Sequence, residues 1–272
     1  MTRGLDRRRL LLSGAGLATA AALGGCDRLA GTAFGRRTLQ LGEDANLFVQ
    51  RLLLTPASLA REFPASAISP DFRPNGTIAP QDTDYLSLAG QAFSGFALTL
   101  DGLVEAPQRL SLDALRAMPS RTQITRHDCV EGWSSIGQWT GVPLADLLKK
   151  ARMRPEARYV VFHCFDTMEF AGGGLEGGDA AGEAPQGRPI RYYESIDLVD
   201  AFHPQTILAY AMNGQALPVA HGAPLRLRVE RQLGYKQAKY IRRVEVVDGL
   251  GHLGEGKGGY WEDRGYEWYA GI

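Results

Sequence analysis

The sequence predicts one mixed α+β domain in which many short strands alternate with short helices. Of its 272 residues, 44% are apolar and 22% are charged, a globular composition with core material for a large domain. Predicted strands and helices alternate without the β-α-β rhythm of nucleotide-binding Rossmann or NTPase folds, so those folds are disfavoured. No internal repeat is visible.

Strand and helix signals follow one another along the body of the chain. Apolar and alternating runs predict strands at residues 96–104, 121–126, 159–164, 225–229 and 240–247. Ser111 is a helix-capping residue for a helix through Met118, and Pro143 suits the first position of a helix through Ala151. Asn213-Gly214 indicates a tight turn. Residues 172–187 form a Gly-rich loop of a length that is often functional.

Charge and cysteine content exclude some classes of protein. The chain has 30 Lys and Arg residues against 30 Asp and Glu residues, and this balance argues against nucleic acid as a partner. Its three cysteines, Cys26, Cys129 and Cys164, are too few for a disulfide framework or a zinc site of four cysteines.

Residues 1–26 have the pattern of an export signal. Arg7 and Arg8 precede an apolar stretch at residues 10–23, which is about 21 Å long as a helix and too short for a hydrocarbon core of about 30 Å. The two arginines match the twin-arginine pattern, and that route carries proteins already folded around a cofactor. The sequence Leu-Gly-Gly-Cys ending at Cys26 resembles a bacterial lipobox, so a lipid anchor is expected there.

The remaining chain divides into two parts. Residues 27–60 are predicted to be a tether with a short amphipathic stretch near residues 47–54, and residues 61–272 to be the functional domain. Residues 63–84 contain four prolines and should be extended and irregular.

Cys129 is the strongest candidate for chemistry. It ends a predicted strand and opens a loop that contains Gly132 and Trp133, and Arg126 and His127 nearby are expected to favour its thiolate. Three uses remain open on this evidence: attack on a substrate with His127 or His163 as base, a zinc or copper site, or a single bond to a metal held by an organic cofactor.

Basic residues of the C-terminal third indicate an anion site. His221 and Arg226 lie in one segment. Residues 234–239 contain two lysines, Lys236 and Lys239, together with a glycine and an alanine. Arginine, lysine and backbone N–H donors in such a setting suit an anionic group.

Together these segments resemble the molybdopterin-binding domain of the sulfite oxidase family, over residues 96–266. Four motifs carry the resemblance, in the order of the family: Asp-Cys-Val-Glu-Gly-Trp at 128–133, Trp-Thr-Gly-Val-Pro-Leu at 139–144, Ala-Tyr-Ala-Met-Asn-Gly at 209–214, and Leu-Pro at 217–218 with His-Gly-Ala-Pro-Leu-Arg-Leu at 221–227. The sequence is most similar to the exported bacterial branch that contains periplasmic methionine sulfoxide reductases.

This resemblance implies a molybdenum cofactor with one pterin, and a role for particular residues. Cys129 takes the position of the cysteine that binds molybdenum. The positions matching pterin-contacting residues are Asn75, Cys164, His221, Arg226, Gln237, Ala238 and Lys239. Arg226 and Lys239 would meet the pterin phosphate. The reductase branch of the family has a pterin-contacting threonine at the position of Cys164.

The resemblance also implies an exported oxidoreductase on the periplasmic side of the inner membrane. An oxygen atom would move to or from a small substrate such as a sulfoxide, an N-oxide or a sulfite-like ion. Electrons would pass through a separate carrier, which in related systems is a membrane b-type haem protein. Two alternatives stay open: a thiol or zinc enzyme that uses Cys129 with His127 or His163, and a non-catalytic ligand-binding lipoprotein.

Overall fold

The computed structural model describes residues 32–171 and 187–272. The export signal at residues 1–26 and nearly all of the Gly-rich loop predicted at residues 172–187 therefore lie outside the described residues. The chain forms two compact units, Met1–Leu53 and Leu54–Ile272.

The described part of the first unit is one helix, α1 (Ala33–Leu53). It is longer than the amphipathic stretch predicted near residues 47–54, because apolar residues recur at helical spacing from Phe34 onward. Phe34, Phe48 and Leu52 are each more than 60% exposed. Among the described residues, no helix combines the length and apolar character that crossing a membrane requires.

The second unit contains all the strands of the described chain and four further α-helices. The helices are α2 (Thr83–Gly90), α3 (Leu112–Arg116), α4 (Leu144–Ala151) and α5 (Leu198–Ala201). The strands are β1 (Ala97–Gly102), β2 (Gln108–Ser111), β3 (Arg121–Asp128), β4 (Ser134–Pro143), β5 (Tyr159–Phe170), β6 (Pro189–Asp197), β7 (Ile207–Met212), β8 (Gln215–Ala216), β9 (Arg226–Arg228) and β10 (Ile241–Val247). Short 3-10 turns cover Ala65–Ala67, Val219–His221, Gly234–Lys236 and Glu262–Arg264.

The strands form two mixed sheets, which confirms the predicted α+β class. One sheet has the order β2-β1-β10-β5-β6, in which β1 and β10 are parallel. The other has the order β3-β4-β7-β8, with β9 paired to β7. This second sheet, together with the turns that follow β9, carries most of the candidate site.

The capped helices and the turn predicted from local sequence signals are present, with small shifts at their ends. Ser111 caps α3 by accepting a hydrogen bond from the backbone N–H of Ala114, and α3 ends at Arg116 rather than at Met118. Pro143 precedes α4 as its cap residue instead of occupying its first turn. Asn213 and Gly214 both have positive φ angles, 50° and 78°, and form the turn between β7 and β8.

One large apolar core holds the second unit together. It contains fully buried residues of both sheets and of α4, including Leu98 in β1, Val244 in β10, Leu208 in β7 and Leu147 in α4. Burial of a side chain of this size contributes about 1.5 to 3 kcal/mol. A smaller cluster around Trp139 and Phe72 lies next to the candidate site.

Gly141 is expected to be essential for the pairing of β4 with β7. A Cβ atom at this position would lie 2.5 Å from the Cα of Ala209 and closer still to the carbonyl oxygen of Leu208. We expect Gly141→Ala to lower the free energy of unfolding of the cofactor-free protein by about 2 kcal/mol or more, because the backbones must separate. Urea denaturation measures this, with Gly249→Ala as control because open space surrounds Gly249. Equal losses in both variants would contradict the close approach.

Candidate cofactor site

A single cleft of the second unit brings together most of the predicted site residues. It has about 730 Å³ of empty space, including its open mouth. Its lining residues are Asn75, Gly76, Thr77, Cys129, Val130, Glu131, Asp166, Met168, Tyr192, Gly234, Tyr235, Gln237, Ala238, Lys239, Trp261 and Tyr266.

Cys129 is presented to the cleft by a hairpin loop. It follows the last residue of β3, and its backbone N–H donates to the carbonyl oxygen of Trp133 at 2.9 Å. The N–H of Gly132 donates back to the carbonyl oxygen of Cys129 at 3.0 Å, with a φ of 83° at Gly132. The predicted position of Cys129, at the end of a strand and the start of a loop, is confirmed.

Burial holds the Cys129 sulfur in its thiol form. Burial raises the pKa of the thiol, and the nearby Glu131 carboxylate raises it further, while the backbone N–H of Glu131 opposes this. The expectation that Arg126 and His127 favour a thiolate is wrong. Arg126 pairs with Asp128 at 2.9 Å, and burial together with Arg228 lowers the pKa of His127 well below its ordinary value, so that the ring is neutral.

His127 lies directly behind the cleft, not within it. Its side chain is fully buried, and its Nδ1 accepts a hydrogen bond from Arg228 Nη1 at 3.1 Å. Gly234 separates the ring from the cleft, since a Cβ atom at Gly234 would lie 2.5 Å from His127 Nε2. Only glycine at this position lets the cleft wall pack against the imidazole.

Two buried cations without carboxylate partners mark one end of the site. Lys239 Nζ donates to backbone carbonyl oxygens, to that of Asn75 at 2.6 Å, to that of Ala220 at 3.1 Å and to that of Thr77. Arg226 is fully buried, and its Nη1 donates to the carbonyl oxygen of His221 at 3.1 Å. The ion pairs of the described residues include neither Lys239 nor Arg226.

The electrostatics of this pair fit an anionic group. Burial and the charge of Arg228 lower the pKa of Arg226 to about 9, and burial and the charge of Arg226 lower the pKa of Lys239 to about 7. Arg226 Nε and Nη2 are buried and have no hydrogen-bond partner among the described residues, and the same is true of His221 Nδ1. Buried donors normally have partners, so these atoms indicate a missing acceptor such as a phosphate.

The structure separates the predicted site residues into three groups. Cys129, Asn75, Gln237, Ala238 and Lys239 line the cleft. His221 and Arg226 lie behind its wall: Arg226 contacts His221, and its charge acts on Lys239. Cys164 is apart from both groups.

Cys164 packs in the apolar core. Its side chain is 1% exposed, it belongs to the large apolar cluster, and burial raises the pKa of its thiol well above the ordinary value. It is not among the residues that line the cleft. Its position in the core does not support the predicted pterin contact.

The geometry does not favour a thiol or zinc enzyme. His163 bonds to Glu245 at 2.8 Å and is not among the residues of the cleft. Within residues 32–171 and 187–272, no three His, Cys, Asp or Glu side chains converge in a way that could hold a metal ion. In the same ranges, no hydrogen bond joins the sulfur of Cys129 to an imidazole, so the thiol lacks a base.

An aromatic wall faces the cleft, and most of it was missed by sequence reasoning. Trp261 and Tyr266 both line the cleft, and the centres of their rings lie 5.2 Å apart. Tyr235 packs on Tyr266 at 5.1 Å. The place of Tyr235 within the basic segment 234–239 was the one sequence signal available for this wall. Nothing in the sequence pointed to Met168 or Tyr192 as lining residues.

Comparison with known proteins gives a consistent result. A family model described as "Oxidoreductase molybdopterin binding domain" matches residues 88–250. The "putative protein-methionine-sulfoxide reductase subunit YedZ1" of Azospira oryzae is 37% identical over 83% of this chain and 73% of that protein. The "protein-methionine-sulfoxide reductase catalytic subunit MsrP" of Ralstonia nicotianae is 35% identical over 56% of this chain, but this chain spans only 43% of that protein.

Solved structures also include chains similar to this one. The sulfane dehydrogenase SoxCD of Paracoccus pantotrophus is 24% identical, with a TM-score of 0.45, over 57% of this chain and 39% of that chain.

The buried Lys239 should make stability depend on pH. Because its pKa falls from 10.5 to about 7 in the folded state, the unfolded chain binds more protons between these values. The free energy of unfolding of the cofactor-free protein should therefore gain a contribution from Lys239 as pH rises from 7 to 10.5. Denaturation at several pH values measures this, and Lys239→Met should remove the contribution. Lys149→Met, at an exposed lysine, is the control; an unchanged slope in Lys239→Met would contradict the assignment.

Proposed function

Because the chain belongs to the oxidoreductase molybdopterin-binding domain family, and so is a molybdenum-dependent oxidoreductase with a molybdopterin cofactor, we propose that it removes the oxygen atom from a sulfoxide. A methionine sulfoxide is the substrate we favour, since two relatives carry that activity in their names. An N-oxide and a sulfite-like ion are the other substrates to be tested.

One observation carries the proposal. A thiol at the end of a hairpin and two cations without carboxylate partners belong to the same site. A cofactor with a thiophilic metal at one end and a phosphate at the other would satisfy both. A ligand-binding lipoprotein without catalysis would not require the thiol.

Each residue has a distinct role in holding the cofactor. Cys129 would supply the metal's bond from the protein, and metal binding would displace the proton that burial keeps on its sulfur. Lys239 and Arg226 would hold the phosphate by charge-assisted hydrogen bonds. Contacts to the pterin are proposed for Asn75, His221, Gln237 and Ala238. The bound cofactor supplies a metal centre able to exchange two electrons and an oxygen atom with the substrate.

The chain's own side chains would orient the substrate. The aromatic wall of Tyr235, Trp261 and Tyr266, with Met168, offers apolar surface to the alkyl groups on the substrate sulfur. Glu131 and Asp166 also line the cleft and make part of it polar. An oxygen-bearing group flanked by alkyl groups fits such a mixed surface.

A separate protein would supply the electrons. Both named relatives are described as subunits, one of them as catalytic. We propose a redox carrier as the partner of this chain, with a membrane b-type haem protein as the favoured form. The twin-arginine pattern at Arg7 and Arg8 and the lipobox ending at Cys26 support export to the periplasmic side of the membrane with a lipid anchor.

Replacement of Cys129 tests the function directly. Cys129→Ser should abolish turnover while leaving the fold nearly intact, because it removes the metal's proposed bond to the protein. The measurements are metal and pterin analysis of protein from its native host, and turnover of a sulfoxide, an N-oxide and sulfite with an artificial electron donor. Cys164→Ala is the matched control and should retain turnover, because Cys164 lies in the core.

Two results would contradict the proposal. Wild-type turnover in Cys129→Ser would remove the proposed role of the sulfur. Zinc without molybdenum in the wild-type protein would support the thiol or zinc enzyme instead.

Replacement of Cys26 tests the anchor. Cys26→Ser should move the protein from the membrane fraction to the soluble periplasmic fraction, because a diacylated cysteine adds about 0.8 kcal/mol of membrane affinity per buried CH₂ group. Arg7→Lys with Arg8→Lys should instead keep the protein in the cytoplasm. Unchanged fractionation of the Cys26 variant would refute lipidation, and unchanged export of the double variant would refute the twin-arginine route.

A further inference from the structure

A second buried ionic cluster lies beside the cleft, and the function proposed above does not use it. Lys236 Nζ lies 2.5 Å from Glu194 Oε1 and 2.6 Å from Glu262 Oε1. The side chains of Lys236 and Glu194 are 0% exposed and that of Glu262 is 1% exposed. The cluster therefore consists of two carboxyl groups and one ammonium group with almost no access to water.

The charge of this cluster requires a bound proton. With both carboxyl groups ionised, the cluster would carry an uncompensated negative charge in the protein interior, which is costly. Two carboxyl groups that share a site resolve such a conflict when one of them keeps its proton. Burial and the neighbouring Glu262 raise the pKa of Glu194 well above its ordinary value, although Lys236 opposes them.

The hydrogen bonds distinguish the two oxygens of Glu194 as carriers of a proton. Glu194 Oε1 accepts from Lys236 Nζ and from the backbone N–H of Ser195 at 2.8 Å, so it suits a carbonyl oxygen. Glu194 Oε2 faces the hydroxyl of Tyr192 at 3.5 Å. That hydroxyl donates to the backbone carbonyl oxygen of Tyr235, so its lone pair is available to a proton on Oε2.

Tyr192 connects the cluster to the cleft. Tyr192 and Tyr235 are both cleft-lining residues, and Lys236 follows Tyr235 in the same short turn. Tyr192 therefore lies between the buried carboxyl group, which its hydroxyl contacts, and the cleft that the residue lines. Hydrogen bonds of a catalytic relay are often long before the substrate is bound, as the 3.5 Å distance is here.

We propose that Glu194 stores a proton that Tyr192 delivers to the oxygen atom leaving the substrate in the cleft. This inference rests on the proposed function. Removal of a sulfoxide oxygen as water breaks the S–O bond and consumes two electrons and two protons. The electrons come from the separate redox carrier, one proton comes from Glu194 through Tyr192, and the second comes from water in the cleft. Water in the cleft then returns a proton to Glu194 through Tyr192.

Five other titratable groups lie near Glu194. Those that act on it or respond to its charge are Lys236, Glu262, Tyr192, Tyr193 and Cys164. Burial keeps the two tyrosines and the cysteine in their neutral forms. Lys236 is the one cation of this set, so it balances one carboxylate and leaves the other carboxyl group protonated.

Glu194→Gln and Tyr192→Phe test the relay. Glutamine keeps the shape and hydrogen bonds of a neutral carboxyl group but releases no proton, and phenylalanine keeps the ring without the hydroxyl. Both variants should bind normal amounts of molybdenum and pterin, while kcat for sulfoxide reduction falls by about 100-fold. The wild-type rate should fall at high pH as Glu194 loses its proton, and Glu194→Gln should lack this limb of the profile.

Infrared spectroscopy supplies a readout that does not depend on turnover. The wild-type protein, with or without cofactor, should show the carbonyl stretch of a protonated carboxyl group, shifted in D₂O. Glu194→Gln should lack this band. Asp200→Asn is the matched control and should keep it, because Asp200 is a buried carboxylate paired with Arg231 at 2.6 Å.

The outcomes separate the relay from the function on which it rests. A wild-type protein that turns over no oxygen-bearing substrate would refute the proposed function and the relay with it. Turnover in the wild type together with unchanged rates in both variants, or with no carboxyl band, would refute the relay alone. A band that persists in Glu194→Gln would place the proton elsewhere and also overturn the relay.

Discussion

The candidate site depends on an electrostatic constraint: Arg226 and Lys239 are buried together, and no carboxylate of the described residues forms an ion pair with either of them. Arg226 and Lys239 come from different segments of the chain. Burial and nearby positive charge lower the pKa of each side chain. Such an arrangement is costly unless an anion completes it. Arg228 differs, since Glu230 satisfies it at 2.6 Å. This contrast between two arginines of β9 supports the proposal that Arg226 binds the cofactor while Arg228 has a structural role.

The second constraint concerns a sulfur atom. A buried thiol without a basic partner is a poor nucleophile, because the reactive species is the thiolate. Metal binding removes that obstacle, since a coordinated thiol loses its proton. The hairpin between β3 and β4 exposes Cys129 to the cleft, whereas Cys164, in the middle of β5, remains in the core. Both cysteines are buried, but they differ in their capacity to bind a ligand. The chain turns at Cys129 beside the cleft, whereas it continues as a strand through Cys164.

Prediction from sequence succeeded where local chemistry determines the outcome. A capping serine at Ser111, a turn at Asn213 and a loop after Cys129 each depend on a few neighbouring residues, and the structure has all three. Prediction from sequence failed where side chains from distant segments of the chain meet. Sequence reasoning expected His127 to favour a thiolate at Cys129, but burial and the contact with Arg228 keep the His127 ring neutral.

The amino-acid sequence by itself determined the fold class, the family and the position of Cys129 at the end of a strand, because motifs and periodicity are local features of the chain. The tertiary structure alone decided which buried donors of Arg226 lack a hydrogen-bond partner among the described residues, which aromatic rings line the cleft, and that Glu194, Lys236 and Glu262 form one buried cluster. Charge balance and desolvation are properties of a three-dimensional neighbourhood, and residues far apart in the chain create that neighbourhood.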